Sequence, residues 1–377
     1  MIYRDFKGEK LSALGFGTMR LPIIGENFAE IDQEKFEEMV DYAISHGVNY
    51  FDTAYPYHEK QSEIAVGKAL KKYPRESFNL ATKFPTFSPH YFDNYKEVFQ
   101  KQLDKCQVEY FDFYLIHNVN EGNYNTLLER KEVIDYLKQM RDEGKIRHLG
   151  FSCHAQQEYL EKFLDVYGED MEFCQLQLNW LDWELQGCRE KVEVLKKHNI
   201  PVWVMEPVRG GKLINLEPQY EEMLKAAEPE FDNAEWGFRF IQSVPEVVMC
   251  LSGMSNMEQM EENIHLFEED KPLSEENLGV LAKVSEAIRS VGTLPCTGCR
   301  YCTDYCPMSL NIPEMIRMYN QFTVSKIWWQ AASYFDIKPD EEKPSACIGC
   351  GSCAAVCPQQ IDIPAMMSDF AEKITKK

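Results

Sequence analysis

Four polar side chains that could act on a proton lie at or just after short apolar runs in the first third of the chain. Asp52 follows the apolar run 48–51, and Tyr57 comes five residues later; Lys83 and His117 end two further apolar runs. If these runs are successive strands of one parallel barrel, all four side chains meet at the carboxyl-end rim of that barrel. A lysine cation beside a tyrosine favours loss of the phenolic proton. The pattern therefore indicates a proton-donor site built on Tyr57.

Eight cysteines near the C-terminal end form two C-x2-C-x2-C-x3-C-P motifs. The first comprises Cys296, Cys299, Cys302 and Cys306, and the second comprises Cys347, Cys350, Cys353 and Cys357. This run is typical of bacterial two-cluster ferredoxins, in which the fourth cysteine ligates the other cluster. It predicts two [4Fe–4S] clusters, one held by Cys296, Cys299, Cys302 and Cys357, and one by Cys347, Cys350, Cys353 and Cys306. Zinc sites usually take two separated pairs of ligands and fit less well.

Composition narrows the class of protein. The 377 residues carry a formal charge of −21, which argues against nucleic acid and anionic membranes as partners. No run of eighteen apolar residues occurs, and the first residues lack the apolar core of a signal peptide. We therefore expect a cytoplasmic protein whose thiols stay reduced and serve as metal ligands. The five scattered cysteines are expected to pack as small apolar side chains.

Apolar runs alternate with amphipathic segments from residue 11 to about residue 290. The predicted strands are 14–16, 48–51, 78–82, 111–116, 146–151, 173–178, 201–205 and 247–251. The predicted helices include 31–46, 132–143, 192–198, 257–267 and 275–290. Eight strands separated by helices are the number that closes a (β/α)8 TIM barrel of the α/β class. We place the barrel domain at residues 1–290.

The segment 291–377 is predicted to be a small, mainly helical ferredoxin-like domain that binds both clusters. A helix is predicted over 313–334, with Pro313 in its first turn. Trp328 and Trp329 lie on it, where packing is the favoured role and electron relay the alternative. So short a domain depends on its clusters, because metal binding supplies folding free energy.

The first domain resembles the aldo-keto reductase family between about residues 11 and 270, through motifs that occur in family order. They are Leu14-Gly15-Phe16-Gly17-Thr18, Asp52-Thr53-Ala54 with Tyr57, Ser62-Glu63 with Gly67-Lys68-Ala69-Leu70, Lys83, Leu115-Ile116-His117, Gly150-Phe151-Ser152, Gln175, Ser252-Gly253-Met254-Ser255-Asn256 and Glu262-Asn263. The resemblance implies that Tyr57 is the general acid and that Lys83, paired with Asp52, supplies the nearby cation. It also implies that His117 orients the carbonyl oxygen, and that the cofactor is NADP or NAD.

Further residues are expected at the cofactor through the same resemblance. Ser152 and Gln175 match positions that hold the carboxamide, and Met205 replaces the tyrosine that often stacks on the nicotinamide. Arg209 and Gly211 lie in a glycine-containing loop suited to a pyrophosphate. The remaining matched positions are Gly17, Thr18, Pro207, Ser255, Gln259, Glu262 and Asn263.

Two departures from the family pattern concern ligands. Cys153 and His154 follow Ser152 where asparagine is common, but two potential ligands do not make a metal site. The lysine and arginine that hold a 2′-phosphate in NADP-using members fall on Gly253 and Gln259. Without a guanidinium the phosphate loses a strong bidentate partner. We therefore expect weak selectivity for NADPH, or a preference for NADH.

The predicted function is NAD(P)H-linked reduction of a small aldehyde or ketone, with clusters that serve electron transfer or structure. The alternative is an iron–sulfur electron-transfer or docking module whose barrel binds cofactor or partner without turnover. A redox partner protein fits either reading, because hydride carries two electrons and each cluster accepts one. The identity of the carbonyl substrate and the oligomeric state stay open.

Overall fold

The computed structural model describes residues 1–120, 122–290, 292–325, 328, 331–332, 335 and 338–375. The chain divides into two compact units. The first comprises Met1–Val208 with Ala234–Leu278, and the second comprises Arg209–Asn233 with Gly279–Lys377. The loop that follows the seventh barrel strand thus belongs to the second unit, while the domain boundary at residue 290 stays a prediction.

Ten strands form a two-stranded hairpin and a closed eight-stranded barrel. They are β1 (Tyr3–Phe6), β2 (Glu9–Ser12), β3 (Leu14–Gly17), β4 (Tyr50–Asp52), β5 (Asn79–Phe84), β6 (Phe111–Val119), β7 (Ile146–Cys153), β8 (Cys174–Gln177), β9 (Val202–Met205) and β10 (Val247–Ser252). The barrel order is β10-β3-β4-β5-β6-β7-β8-β9, and every pair in it is parallel. The predicted TIM barrel is confirmed, and each predicted strand overlaps an observed one.

Helices follow the barrel strands and continue through the second unit. They are α1 (Gln33–Ser45), α2 (Tyr57–Lys60), α3 (Ser62–Leu70), α4 (Pro89–Asp93), α5 (Tyr95–Cys106), α6 (Tyr124–Glu129), α7 (Lys131–Asp142), α8 (Gln157–Tyr167), α9 (Asp182–Leu185), α10 (Cys188–Lys197), α11 (Pro218–Ala227), α12 (Asn233–Gln242), α13 (Met257–Leu266), α14 (Glu275–Arg289), α15 (Ile312–Ser325), α16 (Ser352–Ala355) and α17 (Ile363–Thr375). Short 3₁₀ turns occupy Thr18–Arg20, Arg75–Ser77, Gly168–Asp170, Arg209–Gly211, Asp340–Glu342 and Pro344–Ala346.

Local signals in the sequence account for the ends of these elements. The Asp32 side chain accepts a hydrogen bond from the Lys35 amide and caps α1, and Gly47 adopts a positive φ of 91° just after the helix. Gly150 allows β7 and β8 to pack closely, since a Cβ atom there would lie 2.5 Å from the Phe173 ring. Such positions fix the strand spacing that brings the rim residues together.

The amino end of the barrel is closed by the β1–β2 hairpin, which the sequence analysis missed. Lys7 and Gly8 form its two-residue turn with φ values of 52° and 88°. Phe6 packs edge-on against Trp203, with ring centroids 4.9 Å apart, and lies 5.8 Å from the Phe113 ring. The hairpin thus completes the apolar interior below the rim.

The second unit has a small apolar core of its own. α15 and α17 contribute Met315, Ile316 and Phe370 to it. The Trp328 ring lies 5.8 Å from Tyr319 and 6.3 Å from Phe370, which agrees with the packing role. Trp329 and part of the predicted helix 313–334 lie outside the described residues. In the part of the chain that the structure describes, no helix is long and apolar enough to cross a bilayer.

Candidate active site and cluster ligands

Three of the four predicted proton-transfer residues meet at the carboxyl ends of β4 and β5. The Lys83 amino group donates to Asp52 Oδ1 at 2.6 Å and to the Thr53 carbonyl at 2.8 Å, and lies 3.4 Å from the Tyr57 hydroxyl. Lys83 is fully buried and Asp52 is almost so. The cation is therefore fixed beside the phenol, as proton transfer from a tyrosine requires.

His117 lies at the end of β6 and completes the cluster. Its ring meets the Tyr57 ring edge-on, with centroids 5.9 Å apart, and also contacts Phe87 edge-on at 5.0 Å. The His117 carbonyl accepts a hydrogen bond from Thr86 Oγ1 at 2.6 Å, which ties this part of β6 to the loop that follows β5. The structure thus brings Asp52, Tyr57, Lys83 and His117 together.

Burial governs the charges of this cluster. It lowers the pKa of His117 well below the usual range, and the nearby Lys83 cation lowers it further. Burial also lowers the pKa of Lys83, whereas the nearby Asp52 carboxylate raises it. Burial raises the pKa of Asp52, whereas the nearby Lys83 cation lowers it. Burial thus favours a neutral imidazole at His117, and the attraction between Lys83 and Asp52 opposes the effect of burial on each partner.

A buried polar network behind Lys83 holds β5 in position. The Glu63 carboxylate accepts hydrogen bonds from Thr82 Oγ1 at 2.8 Å, Gln102 Nε2 at 2.7 Å and Lys105 Nζ at 3.1 Å. Gln102 also donates to the Lys83 carbonyl at 3.0 Å. In the sequence, Glu63 stands out only as part of the Ser62-Glu63 motif, and Gln102 lies on a helix with no signal of its own.

The loop that presents Tyr57 is anchored by its neighbour. His58 accepts from the Leu21 amide through Nε2 at 3.0 Å and contacts the Phe28 carbonyl through Nδ1 at 2.7 Å. Its ring stacks on Phe28, and burial lowers its pKa. His58 and Glu59 both have positive φ values near 50°, so α2 is a strained turn and not a regular helix. Sequence reasoning did not identify His58.

The predicted carboxamide residues lie side by side at the rim, since Ser152 and Gln175 are register partners of β7 and β8. Ser152 Oγ accepts from the Asn118 amide at 2.7 Å. Gln175 Oε1 and Asn118 Oδ1 are buried and lack a hydrogen-bond partner among the described residues. Unpaired buried acceptors suit the amide protons of a bound carboxamide, so the rim fits a nicotinamide. Asn118, with a φ of 59°, was not predicted.

Other predicted cofactor residues occupy the ends of β3, β9 and β10. Thr18 Oγ1 donates to the Asp52 carbonyl at 2.9 Å, directly after Gly17. Ser255 Oγ donates to the Arg20 carbonyl and Asn263 Nδ2 donates to Ser252 Oγ. Gln259 accepts from the Ser255 amide at 2.8 Å. Met205 ends β9, Pro207 follows it in the first unit, and Glu262 lies in α13.

Arg209 and Gly211 lie in the second unit instead. Arg209 is buried, and its guanidinium donates to the Pro295 carbonyl at 2.9 Å, just before the first cysteine motif. Gly211 has a positive φ of 86°. The expected role of these two residues at the cofactor stays a prediction.

The Cys153/His154 pair shows no metal geometry. Burial lowers the pKa of His154 to about 3, and its Nδ1 contacts Gln177 Oε1 at 3.2 Å. Within the described residues, no three His, Cys, Asp or Glu side chains are close enough to bind a single metal ion. His154 is thus held by its neighbour.

The eight motif cysteines all lie in the second unit. One cavity is lined by Cys306 together with Cys347, Cys350 and Cys353, which is the second predicted ligand set. Burial raises the pKa of the Cys302 thiol, and the nearby Cys299, Cys357, Cys296 and Cys353 raise it further, so Cys302 has thiols of both predicted sets around it. A set of cysteine thiols fits iron–sulfur ligation, because such clusters are held by cysteine thiolates.

Comparison with known proteins gives matches for both parts of the chain. The model of the aldo/keto reductase family matches residues 13–286, and that of a 4Fe-4S dicluster domain matches residues 295–361. A probable aldo-keto reductase from Glycine max is 30% identical over 216 residues; the match covers 54% of this chain and 58% of that relative. An NADH-specific methylglyoxal reductase from Escherichia coli is 26% identical over 223 residues, covering 54% of this chain and 65% of that protein.

A solved structure shares the fold of the barrel. The holo form of an aldo-keto reductase from Bacillus halodurans superposes with a TM-score of 0.62 at 23% identity. The superposition covers 75% of this chain and 96% of that structure.

Proposed function

From the premise that this chain belongs to the aldo/keto reductase family and is an NAD(P)-dependent oxidoreductase with a 4Fe-4S domain, we propose that it reduces an aldehyde or ketone to an alcohol. Tyr57 is the general acid of this reaction. The observation that supports the proposal most directly is the 3.4 Å distance between the Tyr57 hydroxyl and the buried Lys83 amino group.

A reduced nicotinamide, when bound, supplies hydride to the carbonyl carbon. The Tyr57 hydroxyl donates its proton to the carbonyl oxygen as negative charge develops there. Lys83 stabilises the phenolate that remains, and Asp52 holds Lys83 in place. His117, which stays neutral because burial lowers its pKa, retains one ring N–H that can orient the carbonyl oxygen.

Ser152 and Gln175 are the residues that would hold the carboxamide of the nicotinamide. Asn118 joins them, since its side-chain oxygen is buried at the same rim and unpaired among the described residues. In the second unit, two [4Fe–4S] clusters would be held by Cys296, Cys299, Cys302 and Cys357, and by Cys306, Cys347, Cys350 and Cys353. Bound clusters supply one-electron transfer or brace the segment around them.

Replacement of Tyr57 with phenylalanine tests the reaction. We expect kcat/KM for carbonyl reduction to fall by about 10²- to 10⁴-fold, the usual contribution of a general acid. The Kd of the oxidised nicotinamide should stay unchanged, because no hydroxyl contact to it is removed. Tyr73→Phe is the matched control, since that hydroxyl bonds Asp41 outside the site. Retained turnover in Tyr57→Phe would instead favour the alternative, an electron-transfer module that binds cofactor without turnover.

We propose that NADH is used at least as well as NADPH. The positions expected to hold a 2′-phosphate carry Gly253 and Gln259, and the Gln259 side chain is engaged by the Ser255 amide. The relative named NADH-specific methylglyoxal reductase makes methylglyoxal a suitable first substrate.

Steady-state titration of both cofactors should give a kcat/KM for NADH equal to or above that for NADPH. In Gln259→Arg the value for NADPH should rise about tenfold, because the phosphate gains a guanidinium; a clear NADPH preference in the wild type would contradict the proposal.

A further inference from the structure

A cavity of about 200 Å³ in the second unit is rich in positive charge. Lys212, Arg300 and Arg317 line it, and Glu314 is the carboxylate among its lining residues. Three cations against one carboxylate leave an excess of two positive charges. In a chain with a formal charge of −21, such a local excess marks a place where an anion can bind.

The walls of the cavity are built from separate parts of the unit. Lys212 follows the turn Arg209–Gly211, and Arg300 follows Cys299 with a positive φ of 67°. Arg317 donates to both carboxylate oxygens of Glu314, at 2.9 and 2.6 Å, within the first turns of α15. Lys212 also acts on Glu314, because its charge helps to lower the pKa of that carboxyl. One carboxylate therefore faces three cations, and the lining keeps its excess of positive charge.

The first turn of α15 adds to the attraction for an anion. Pro313 and Glu314 of that turn line the cavity, and α15 is fourteen residues long. The amino end of a helix carries partial positive charge and points amide groups at a ligand. The Leu294 amide donates to Asn320 Oδ1 at 2.8 Å, and the Leu294 carbonyl accepts from Asn320 Nδ2 at 2.7 Å. These two hydrogen bonds hold the segment before Cys296 against α15.

Cys296 also lines this cavity. A cluster at Cys296 would add negative charge beside the same cations, and reduction by one electron would add one more. The cluster and a bound anion would then compete for the same positive groups.

We propose that this cavity binds a phosphate group, and that its occupancy is coupled to the redox state of the cluster held by Cys296. Reduction of the cluster weakens phosphate binding and, by thermodynamic reciprocity, bound phosphate makes the cluster harder to reduce. The coupling rests on the proposed cluster. The phosphate comes either from free phosphate or from the diphosphate of a dinucleotide.

Calorimetry on the oxidised, cluster-loaded protein tests the binding. Inorganic phosphate and ADP-ribose are the two probes, titrated against chloride at matched ionic strength. The variant Lys212→Gln/Arg300→Gln should bind both probes at least tenfold more weakly. Lys283→Gln/Arg289→Gln removes the same charge from the exposed face of α14 and should bind as the wild type does. Tighter binding of ADP-ribose that is lost in Lys212→Gln/Arg300→Gln identifies the dinucleotide diphosphate as the source, and ADP-ribose binding that the cavity substitutions leave unchanged, beside phosphate binding that they weaken, identifies free phosphate.

Redox titration followed by electron paramagnetic resonance tests the coupling. A tenfold weaker affinity for the reduced protein corresponds to a fall of about 59 mV in the midpoint potential of one cluster. The shift should vanish in Lys212→Gln/Arg300→Gln and persist in the control. The coupling is overturned if the wild type shows no shift in midpoint potential, if the shift persists in Lys212→Gln/Arg300→Gln, or if no cluster is bound at Cys296. Tyr57→Phe should retain both phosphate binding and the shift in midpoint potential. A failure of the proposed carbonyl reduction is therefore distinguished from a failure of the phosphate site.

Discussion

The barrel and the second unit position their chemical groups in different ways. Lys83 is fully buried, lies on a strand and is fixed by two short hydrogen bonds. Apart from Cys353, which lies in α16, the motif cysteines lie outside helices and strands, and the nearby Gly298, Gly349 and Gly351 have positive φ values. The barrel thus carries its reactive groups at the ends of paired strands, whereas the second unit carries most of its thiols on irregular segments.

This difference shows which part of the molecule depends on its cofactor. Hydrogen-bonded strands and a closed apolar interior stabilise the barrel without any ligand. The second unit has a much smaller core, and four thiols brought close together repel one another once ionised. Metal binding removes that repulsion and supplies folding free energy. We therefore expect the barrel to outlast the second unit when iron is lost.

The largest effect is expected from Cys353→Ala, which removes a buried ligand of one predicted cluster. Iron per chain should fall by about half, because one of two clusters loses a ligand. Limited proteolysis should then cut within the second unit while the barrel stays intact. Iron analysis and mass spectrometry of the fragments provide the measurement.

Cys106→Ala is the matched control, since Cys106 is a buried barrel cysteine outside the motifs. Its iron content should equal that of the wild type. Equal loss of the barrel and the second unit to protease in Cys353→Ala would break the comparison.

A smaller effect is expected when the buried ion pair of the barrel is altered by Asp52→Asn. Asp52 raises the pKa of Lys83 against the effect of burial, so its removal lowers that pKa further. The alkaline limb of the rate profile should move to lower pH, and kcat should fall by about 10- to 100-fold. The pH dependence of kcat gives the measurement.

His117 adds an internal check to this profile. Because burial keeps His117 neutral, neither protein should show an inflection near pH 6.5, the usual pKa of histidine. If the alkaline limb of the kcat profile lies at the same pH in Asp52→Asn as in the wild type, the pKa of Lys83 does not determine that limb.

The smallest effect is expected from Glu172→Gln at the amino end of the barrel. Glu172 accepts hydrogen bonds from Lys7 Nζ at 2.6 Å and the Leu149 amide at 3.2 Å, and contacts His148 Nδ1 at 2.8 Å. Burial alone would raise the pKa of Glu172, but these partners outweigh burial and lower that pKa to about 2. The substitution should reduce the free energy of unfolding at pH 7 by about 1–2 kcal/mol.

The pH dependence of that loss has a definite sign. A carboxyl with a lowered folded-state pKa stabilises above its ordinary value of 4.5, and the contribution is lost as the pH falls toward about 2. The difference between wild type and Glu172→Gln should therefore shrink over that window in denaturant titrations. Iron content should not change, and a change would show that the two units do not respond separately.

The sequence predicted the barrel and the meeting of the four rim residues because both follow from local patterns. Apolar runs mark strands, and a polar residue at the end of such a run lies at the rim. The β1–β2 hairpin was missed, although the turn at Lys7-Gly8 offered a signal, because its first strand is largely exposed. The roles assigned to Asp52, Tyr57, Lys83 and His117 stay predictions.

Side chains held by distant partners could not be predicted in the same way. Gln102 contacts Glu63 across 39 residues, and His58 contacts the Phe28 carbonyl across 30. Arg209 contacts Pro295 across 86 residues, which no local pattern indicates. Cys306 lines a cavity with Cys347, Cys350 and Cys353, and its assignment to the cluster of the second motif stays a prediction.

The hairpin that closes the barrel has a consequence for synthesis of the chain. Its residues leave the ribosome before the barrel strands, yet the surface on which Phe6 packs includes Phe113, Phe173 and Trp203. The Arg4 guanidinium donates to the carbonyl of Val247, in the last barrel strand. At usual translation rates, about 5–20 residues per second, the hairpin waits roughly 10 to 50 seconds for that strand. The hairpin therefore gains its full set of partners only after the last barrel strand has been synthesised.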